Sequence, residues 1–155
     1  MKVKYFLVLL FCIMSQGLLA QGSAADSLNA AKALNVLVTI CRAVDFSDPM
    51  VSKLGTFYKA APFIVYRGDD KIRAWKDFTN YENADEKKGV DQICLRINQT
   101  LSPGSDFKIV KYSTEKESEG IWHVLTVSYN KKGGIKKAAF AFLKINNRFG
   151  LGDID

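Results

Sequence analysis

The sequence predicts an α+β domain in which N-terminal helices pack on a curved antiparallel sheet. Apolar residues recur at helical spacing up to residue 101, whereas beyond residue 107 they alternate with polar residues. The chain has 155 residues, of which 48% are hydrophobic and 25% are charged. It is therefore long enough for one core and too apolar for a disordered segment. We expect a single domain over residues 26–155.

The first twenty residues predict a signal peptide. Two lysines precede the apolar run Tyr5–Met14, which is shorter than the ~20 residues that a membrane-spanning helix needs. Ala20 then offers a cleavage position, with cleavage after Gly17 or a retained anchor as alternatives. We expect residues 1–20 to be the signal peptide and residues 21–25 a linker. The protein would then be secreted or periplasmic, with no membrane span in the mature chain.

Removal of the signal peptide takes away two lysines and no acid, and lowers the net charge from +6 to +4. A solvated surface accounts for a charge of this size without a charged partner. The sequence contains no dense stripe of lysine and arginine, so we predict no nucleic-acid partner.

Apolar residues at helical spacing mark the two longest helices. The first is predicted over residues 26–44, with Asp26 or Ser27 as its N-cap. The second is predicted to follow a capping box formed by Asn83 and Glu86. The apolar stripes consist of Ala30, Leu34, Leu37, Cys41 and Val44 in the first helix and of Val90, Ile93, Cys94, Ile97 and Leu101 in the second.

Shorter elements are predicted between these two helices. Pro49 is typical of the first turn of a helix, and that helix is expected to end at Pro62. The apolar run Phe63–Tyr66 predicts a short strand, and residues 72–78 predict a helical turn that carries Trp75.

An antiparallel meander is predicted for the rest of the chain, because the alternating segments are separated by glycine or asparagine turns. The predicted strands span residues 107–113, 121–129, 135–145 and 149–154, with a charged turn over residues 114–120. Both faces of this sheet would carry apolar side chains, so the sheet needs two covers. The helices supply one, and sheet curvature, a partner subunit or a ligand would supply the other.

This order of elements resembles the nuclear transport factor 2-like superfamily, in a SnoaL-like, secreted bacterial form. Two early helices lead into Phe63–Tyr66, and a later helix precedes the meander. Residues 141–155 then form a strand, an asparagine turn and a short aromatic-containing strand. The resemblance implies a cystatin-like α+β cone with a pocket at its mouth. Members include isomerases, dehydratases, polyketide cyclases and non-catalytic binding modules, so the fold does not specify the function.

Cys41 and Cys94 are the two cysteines that follow the predicted signal peptide, and both lie on the apolar stripes of helices. An exported protein can join such residues in a disulfide, which would contribute roughly 3–4 kcal/mol by the chain-entropy model. The alternative is that they pack as two separate buried thiols.

His123 is the only histidine, and it alternates with apolar residues on one face of a predicted strand. Because its ordinary pKa is ~6.5, it is the best candidate for a general base, and a hydrogen-bonded pocket wall is the alternative. The aromatic residues that could line a pocket with it, or form the rim of the core, are Tyr58, Tyr66, Trp75 and Tyr112. A single histidine and the lack of paired-cysteine spacing predict no metal site and no cofactor.

Three hypotheses of function follow. The first is an exported, non-enzymatic module that binds a small apolar or amphipathic ligand, or that forms a homodimer through its sheet face. The second is an isomerase- or dehydratase-like enzyme with His123 as general base and Tyr58 or Tyr66 as hydrogen-bond donor. The third is an inhibitor or accessory subunit that docks on a larger protein through an exposed edge strand.

Overall fold

The structure is a computed structural model that describes residues 24–44, 56–66 and 77–155. The predicted signal peptide, the start of the helix at Pro49 and the helical turn with Trp75 lie outside the described residues. The described part is an α+β arrangement of helices and an open, four-stranded antiparallel sheet. The finer prediction of a cone stays a prediction.

The described part of helix α1 spans residues 24–42, so residues 24 and 25 of the segment predicted as a linker are helical. Alanines at positions 24 and 25 favour helix, so the helix extends past the predicted cap. The stripe predicted from spacing is buried, with Val44 half-buried just after the helix. The fully or almost fully buried residues of α1 are Ala30, Ala33, Leu34, Leu37, Val38 and Cys41.

Helix α2 spans Ala84–Thr100 and buries the whole predicted stripe. Its N-cap is Asn83, whose side chain accepts the backbone N–H groups of Asp85 and Glu86. The Glu86 carboxylate accepts the N–H of Asn80, while the N–H of Asn83 donates to the Asn80 carbonyl oxygen. Only the asparagine half of the predicted capping box therefore forms.

Two short 3₁₀ segments, Thr56–Lys59 and Ala61–Phe63, lie between the helices. Pro62 lies in the first turn of the second one, where its missing N–H costs nothing, and the helical segment ends at Phe63, one residue after the predicted end. The strand predicted for Phe63–Tyr66 is reduced to a parallel bridge between Ile64 and Leu151.

The sheet consists of β1 (Phe107–Glu117), β2 (Gly120–Lys131), β3 (Gly134–Ile145) and β4 (Arg148–Ile154), each paired with its neighbour in sequence. Three strand positions agree with the predictions within one or two residues, whereas β1 extends through the predicted charged turn to Glu117. It can do so because β1 is an edge strand whose side chains are mostly exposed. Asn146 and Asn147 form the β3–β4 turn with φ values of 49° and 62°.

One face of the sheet packs on α1 and α2 and forms the main core. The sheet contributes Leu125 and Val127 from β2, Phe140 and Phe142 from β3, and Leu151 and Ile154 from β4. Removal of these apolar side chains from water, at ~25 cal/mol per Å² of buried apolar surface, is the main contribution that stabilises the fold.

The opposite face carries a smaller core made of Val65, Trp122 and Leu143, with Phe78 packed against it. At this end of the sheet, the second cover therefore includes Val65 and Phe78 of the chain itself. Two glycines of β4 allow the close approach. A Cβ at Gly150 would contact the Val65 side chain and come within 2.9 Å of the Phe78 ring.

No helix in the described ranges has the length and apolar character that crossing a bilayer requires.

Candidate functional site

His123 and Tyr112 form a buried polar pair on the face of the sheet that meets the helices. His123 lies on β2 opposite Thr114, and Tyr112 lies two residues away on β1. The Tyr112 hydroxyl oxygen is 2.7 Å from His123 Nδ1. His123 is only 4% exposed. Strand register thus gives the histidine a hydrogen-bond partner that the spacing of the sequence alone does not identify.

Phe149 and an ion pair surround the histidine. The Phe149 ring meets the imidazole edge-on, with ring centroids 5.0 Å apart. Lys144 Nζ is 2.8 Å from an Asp26 carboxylate oxygen, which ties β3 to the first turn of α1. Burial lowers the pKa of His123 below its ordinary 6.5, and the opposing charges of Asp26 and Lys144 alter it less. The imidazole is therefore neutral at pH 7.

This lowered pKa predicts that stability decreases on mild acidification. In the unfolded chain His123 takes up a proton near pH 6.5, whereas burial opposes its protonation in the folded chain. The stability that the neutral histidine contributes is therefore present above about pH 6.5 and is lost as the pH falls through the folded pKa. Urea unfolding between about pH 7 and 5 should show that the free energy of unfolding decreases less for His123→Gln than for the unchanged protein. Equal losses in both proteins would contradict the prediction.

A cleft lies between α1 and the β3–β4 turn, with a volume of about 250 Å³. One face of α1 lines it, at helical spacings of three, four and seven residues, and the turn region and Phe63 complete the wall. Its lining residues are Asn29, Lys32, Ala33, Val36, Phe63, Asn147, Arg148 and Phe149. The cleft therefore combines an apolar floor with two cationic side chains.

Arg148 is held in position at the side of this cleft. Its Nη2 donates to the Pro62 carbonyl oxygen at 2.7 Å, and its guanidinium carbon lies 4.3 Å above the centre of the Phe78 ring. A guanidinium has five N–H donors, so this arrangement leaves donors for a further acceptor. Within the described part of the chain, no carboxylate forms an ion pair with Arg148 or Lys32.

Of the predicted pocket residues, the structure brings Tyr112 to His123. Tyr58 is exposed, with Lys59 above its ring, and Tyr66 is half-buried between the two cores. Trp75 lies outside the described residues. His123 lies behind Phe149 and does not line the cleft.

Several cleft residues were not identified from the sequence. Lys32, Val36 and Arg148 belong to no sequence motif. The sequence feature that could have identified them is the face of α1 opposite the buried stripe, on which Lys32 and Val36 lie one turn apart. The β3–β4 turn that completes the cleft is remote in sequence, so its approach depends on the fold.

Cys41 and Cys94 are free thiols, buried where α1 meets α2. Their mutual hydrogen bond, followed by burial, raises the pKa of Cys94 far above its ordinary value. The Asn98 amide nitrogen donates to the Cys41 carbonyl oxygen at 3.0 Å and links the two helices beside the thiols. The raised pKa disfavours reactive thiolate chemistry at Cys94, and the disulfide stays a prediction.

The described residues contain no group of three or more histidine, cysteine, aspartate or glutamate side chains that could hold a metal ion. Scans of protein-family models, curated proteins and solved structures found no match to this chain. The nuclear transport factor 2-like resemblance therefore stays a prediction, and the function has to be argued from the geometry.

Proposed function

We propose that this protein is an exported, non-enzymatic module that binds a small amphipathic anion, such as a short-chain carboxylate. The ligand site is the cleft between α1 and the β3–β4 turn. The observation that carries the proposal is the combination, in one depression, of an apolar floor and two cations that no described carboxylate neutralises.

The apolar part of the cleft favours a hydrocarbon group. Val36 is 38% exposed, although its neighbours along the helix at Ala33 and Leu37 are buried. A ligand that covers Val36 and Phe63 removes apolar surface from water at ~25 cal/mol per Å². The volume of about 250 Å³ is below the ~300–1,000 Å³ typical of sites for drug-sized molecules, so the ligand is small.

The charged part of the cleft favours an anionic group. Arg148 is already ordered by Pro62 and Phe78, so it loses little conformational entropy on binding. Lys32 adds a second cation from the helix, while nearby Lys144 is neutralised by Asp26. An anion held between an arginine and a lysine would form charge-assisted hydrogen bonds.

The position of His123 supports binding over catalysis. A general base has to come within hydrogen-bond reach of the proton that it removes. His123 is buried, bonded to Tyr112 and separated from the cleft by Phe149. The isomerase hypothesis would require a cavity that reaches the imidazole, and the described residues form the cleft on the other side of Phe149.

Calorimetric titration with hexanoate, hexanol and hexylammonium tests the proposal. We expect hexanoate to bind most tightly, hexanol more weakly and hexylammonium weakest. Lys32→Gln should weaken hexanoate binding by about two- to fivefold, as for an exposed ion pair, and leave hexanol unaffected.

Val36→Asp places a negative charge on the cleft floor and should abolish hexanoate binding. Leu28→Asp is the matched control, because Leu28 is an exposed apolar residue of the same helix that does not line the cleft. If none of the three compounds binds at millimolar concentration, or if Leu28→Asp weakens binding as much as Val36→Asp does, the proposal is wrong.

A further inference from the structure

The end of the sheet remote from the cleft is strongly basic. Antiparallel register brings the start of β1, the end of β2 and the start of β3 together there, with Phe107 opposite Tyr129 and Tyr129 opposite Lys136. We call this region the basic end of the sheet and define it by five exposed lysines. These are Lys108, Lys111, Lys132, Lys136 and Lys137.

Few acids accompany these lysines. Asp106 precedes β1, and Asp155 lies opposite Ala139 at the edge of β4. Among the residues that the structure describes, the ion pairs are Arg96 with Asp153 and Lys144 with Asp26, and neither includes a lysine of the basic end. Five of the 22 lysine and arginine residues of the chain therefore lie at this end of the sheet.

Exposed apolar side chains lie among the lysines. Ile135 is 72% exposed and Val110 is 51% exposed. Ile135 directly follows the β2–β3 turn, where Gly133 and Gly134 adopt positive φ. Phe107, Val110 and Ile135 also line a depression of about 180 Å³. A group of exposed apolar side chains that is rimmed by charged residues is typical of a surface that contacts a protein or a membrane.

We propose that the basic end of the sheet binds the surface of an anionic lipid bilayer. The lysine ammonium groups would contact lipid phosphates, and Ile135 would enter the boundary between headgroups and acyl chains. This surface is separate from the proposed ligand cleft, and the inference does not depend on that cleft.

The chemistry favours a bilayer over two other occupants. A second copy of this chain would bring two sets of lysines together and would be repelled. A stable protein partner buries at least about 1,000 Å² with good shape complementarity, whereas the depression lined by Phe107, Val110 and Ile135 has a volume of only about 180 Å³. A bilayer needs no matching shape, because it adapts to an apolar tip surrounded by cations.

Co-sedimentation of the full chain with vesicles tests this inference. The vesicles contain either phosphatidylcholine alone or phosphatidylcholine with one quarter phosphatidylglycerol. The predicted signal peptide is present in every sample, so the measured quantity is the excess binding to anionic over neutral vesicles. We expect a clear excess that decreases with added NaCl, because salt screens exposed charges.

Variants locate the binding surface. Each lysine at an anionic bilayer contributes about fivefold to binding, so Lys132→Gln combined with Lys136→Gln should reduce the excess by about thirtyfold. The matched control combines Lys59→Gln with Lys88→Gln, which removes two exposed lysines elsewhere and should leave most of the excess. Ile135→Ser should weaken binding to anionic vesicles without changing its salt dependence.

Three outcomes would overturn the inference. They are no excess for anionic vesicles, an equal loss in both lysine pairs, and tighter binding of a soluble polyglutamate peptide than of the vesicles. The last outcome would identify the basic end as a docking surface for an acidic protein. Circular dichroism of each variant confirms that it is folded before binding is compared.

Discussion

Replacing Phe149 with alanine is expected to lower the free energy of unfolding by about 3–5 kcal/mol, the range for removing a buried aromatic side chain. Phe149 is buried in the main core, and it separates His123 from the cleft. Its loss leaves a cavity and admits water to the imidazole. Because burial is the main cause of the lowered pKa of His123, that pKa should return toward 6.5 in the variant.

Two measurements check this prediction. Urea unfolding gives the change in stability, and an NMR titration gives the pKa directly, because the single histidine of the chain produces one set of imidazole signals. Phe149→Leu is the control and should cost less than about 1.5 kcal/mol, since it keeps most of the apolar volume. A loss below about 1 kcal/mol for Phe149→Ala, or an unchanged His123 pKa, would show that Phe149 does not shield the histidine.

Replacing Gly152 with alanine is expected to cost about 1–3 kcal/mol, the usual penalty for overpacking a core. A Cβ at this position would lie 2.6 Å from two ring carbons of Trp122 and 3.3 Å from a methyl group of Val65. Since Trp122 and Val65 belong to the smaller core, neither can move without loosening the cover on that face of the sheet.

A double-mutant cycle distinguishes this clash from a general effect of alanine in a strand. Trp122→Phe shortens the ring that the new Cβ would meet, so the combined variant should be more stable than the sum of the two single changes predicts. Additive losses would mean that the penalty at Gly152 does not come from contact with Trp122.

Periodic elements could be predicted from the sequence, and elements that depend on remote contacts could not. Helix α2 and strands β2 to β4 follow from apolar spacing, which reports directly which side chains are buried. The charged residues at the end of β1 suit either an exposed edge strand or a loop, so the sequence predicts a turn where the structure has a strand. The run Phe63–Tyr66 has strand composition, yet its one bridge depends on Leu151, far along the chain.

The residues of the candidate sites could likewise be predicted only in part, because their partners come from remote parts of the chain. Alternation on β2 predicted the face on which His123 lies, but its partner Tyr112 follows from the β1–β2 register. The cleft requires α1 to lie beside a turn near the end of the chain, and no local pattern specifies that approach. The lysines of the basic end are scattered between residues 108 and 137, so their concentration becomes visible only when the strands pair.

Among the described strands, β1 lies at an edge of the sheet, and this position has a consequence for how the protein behaves at high concentration. An eleven-residue edge offers backbone groups to which a strand of another molecule could add, the first step toward fibrous aggregates. Along β1, Lys111, Glu115, Lys116 and Glu117 are exposed, and a bulge between Ile109 and Lys111 interrupts the register. Strand addition would have to desolvate these charges and match the bulge. The edge is therefore protected against self-association by the same charged run that resembles a turn in the sequence.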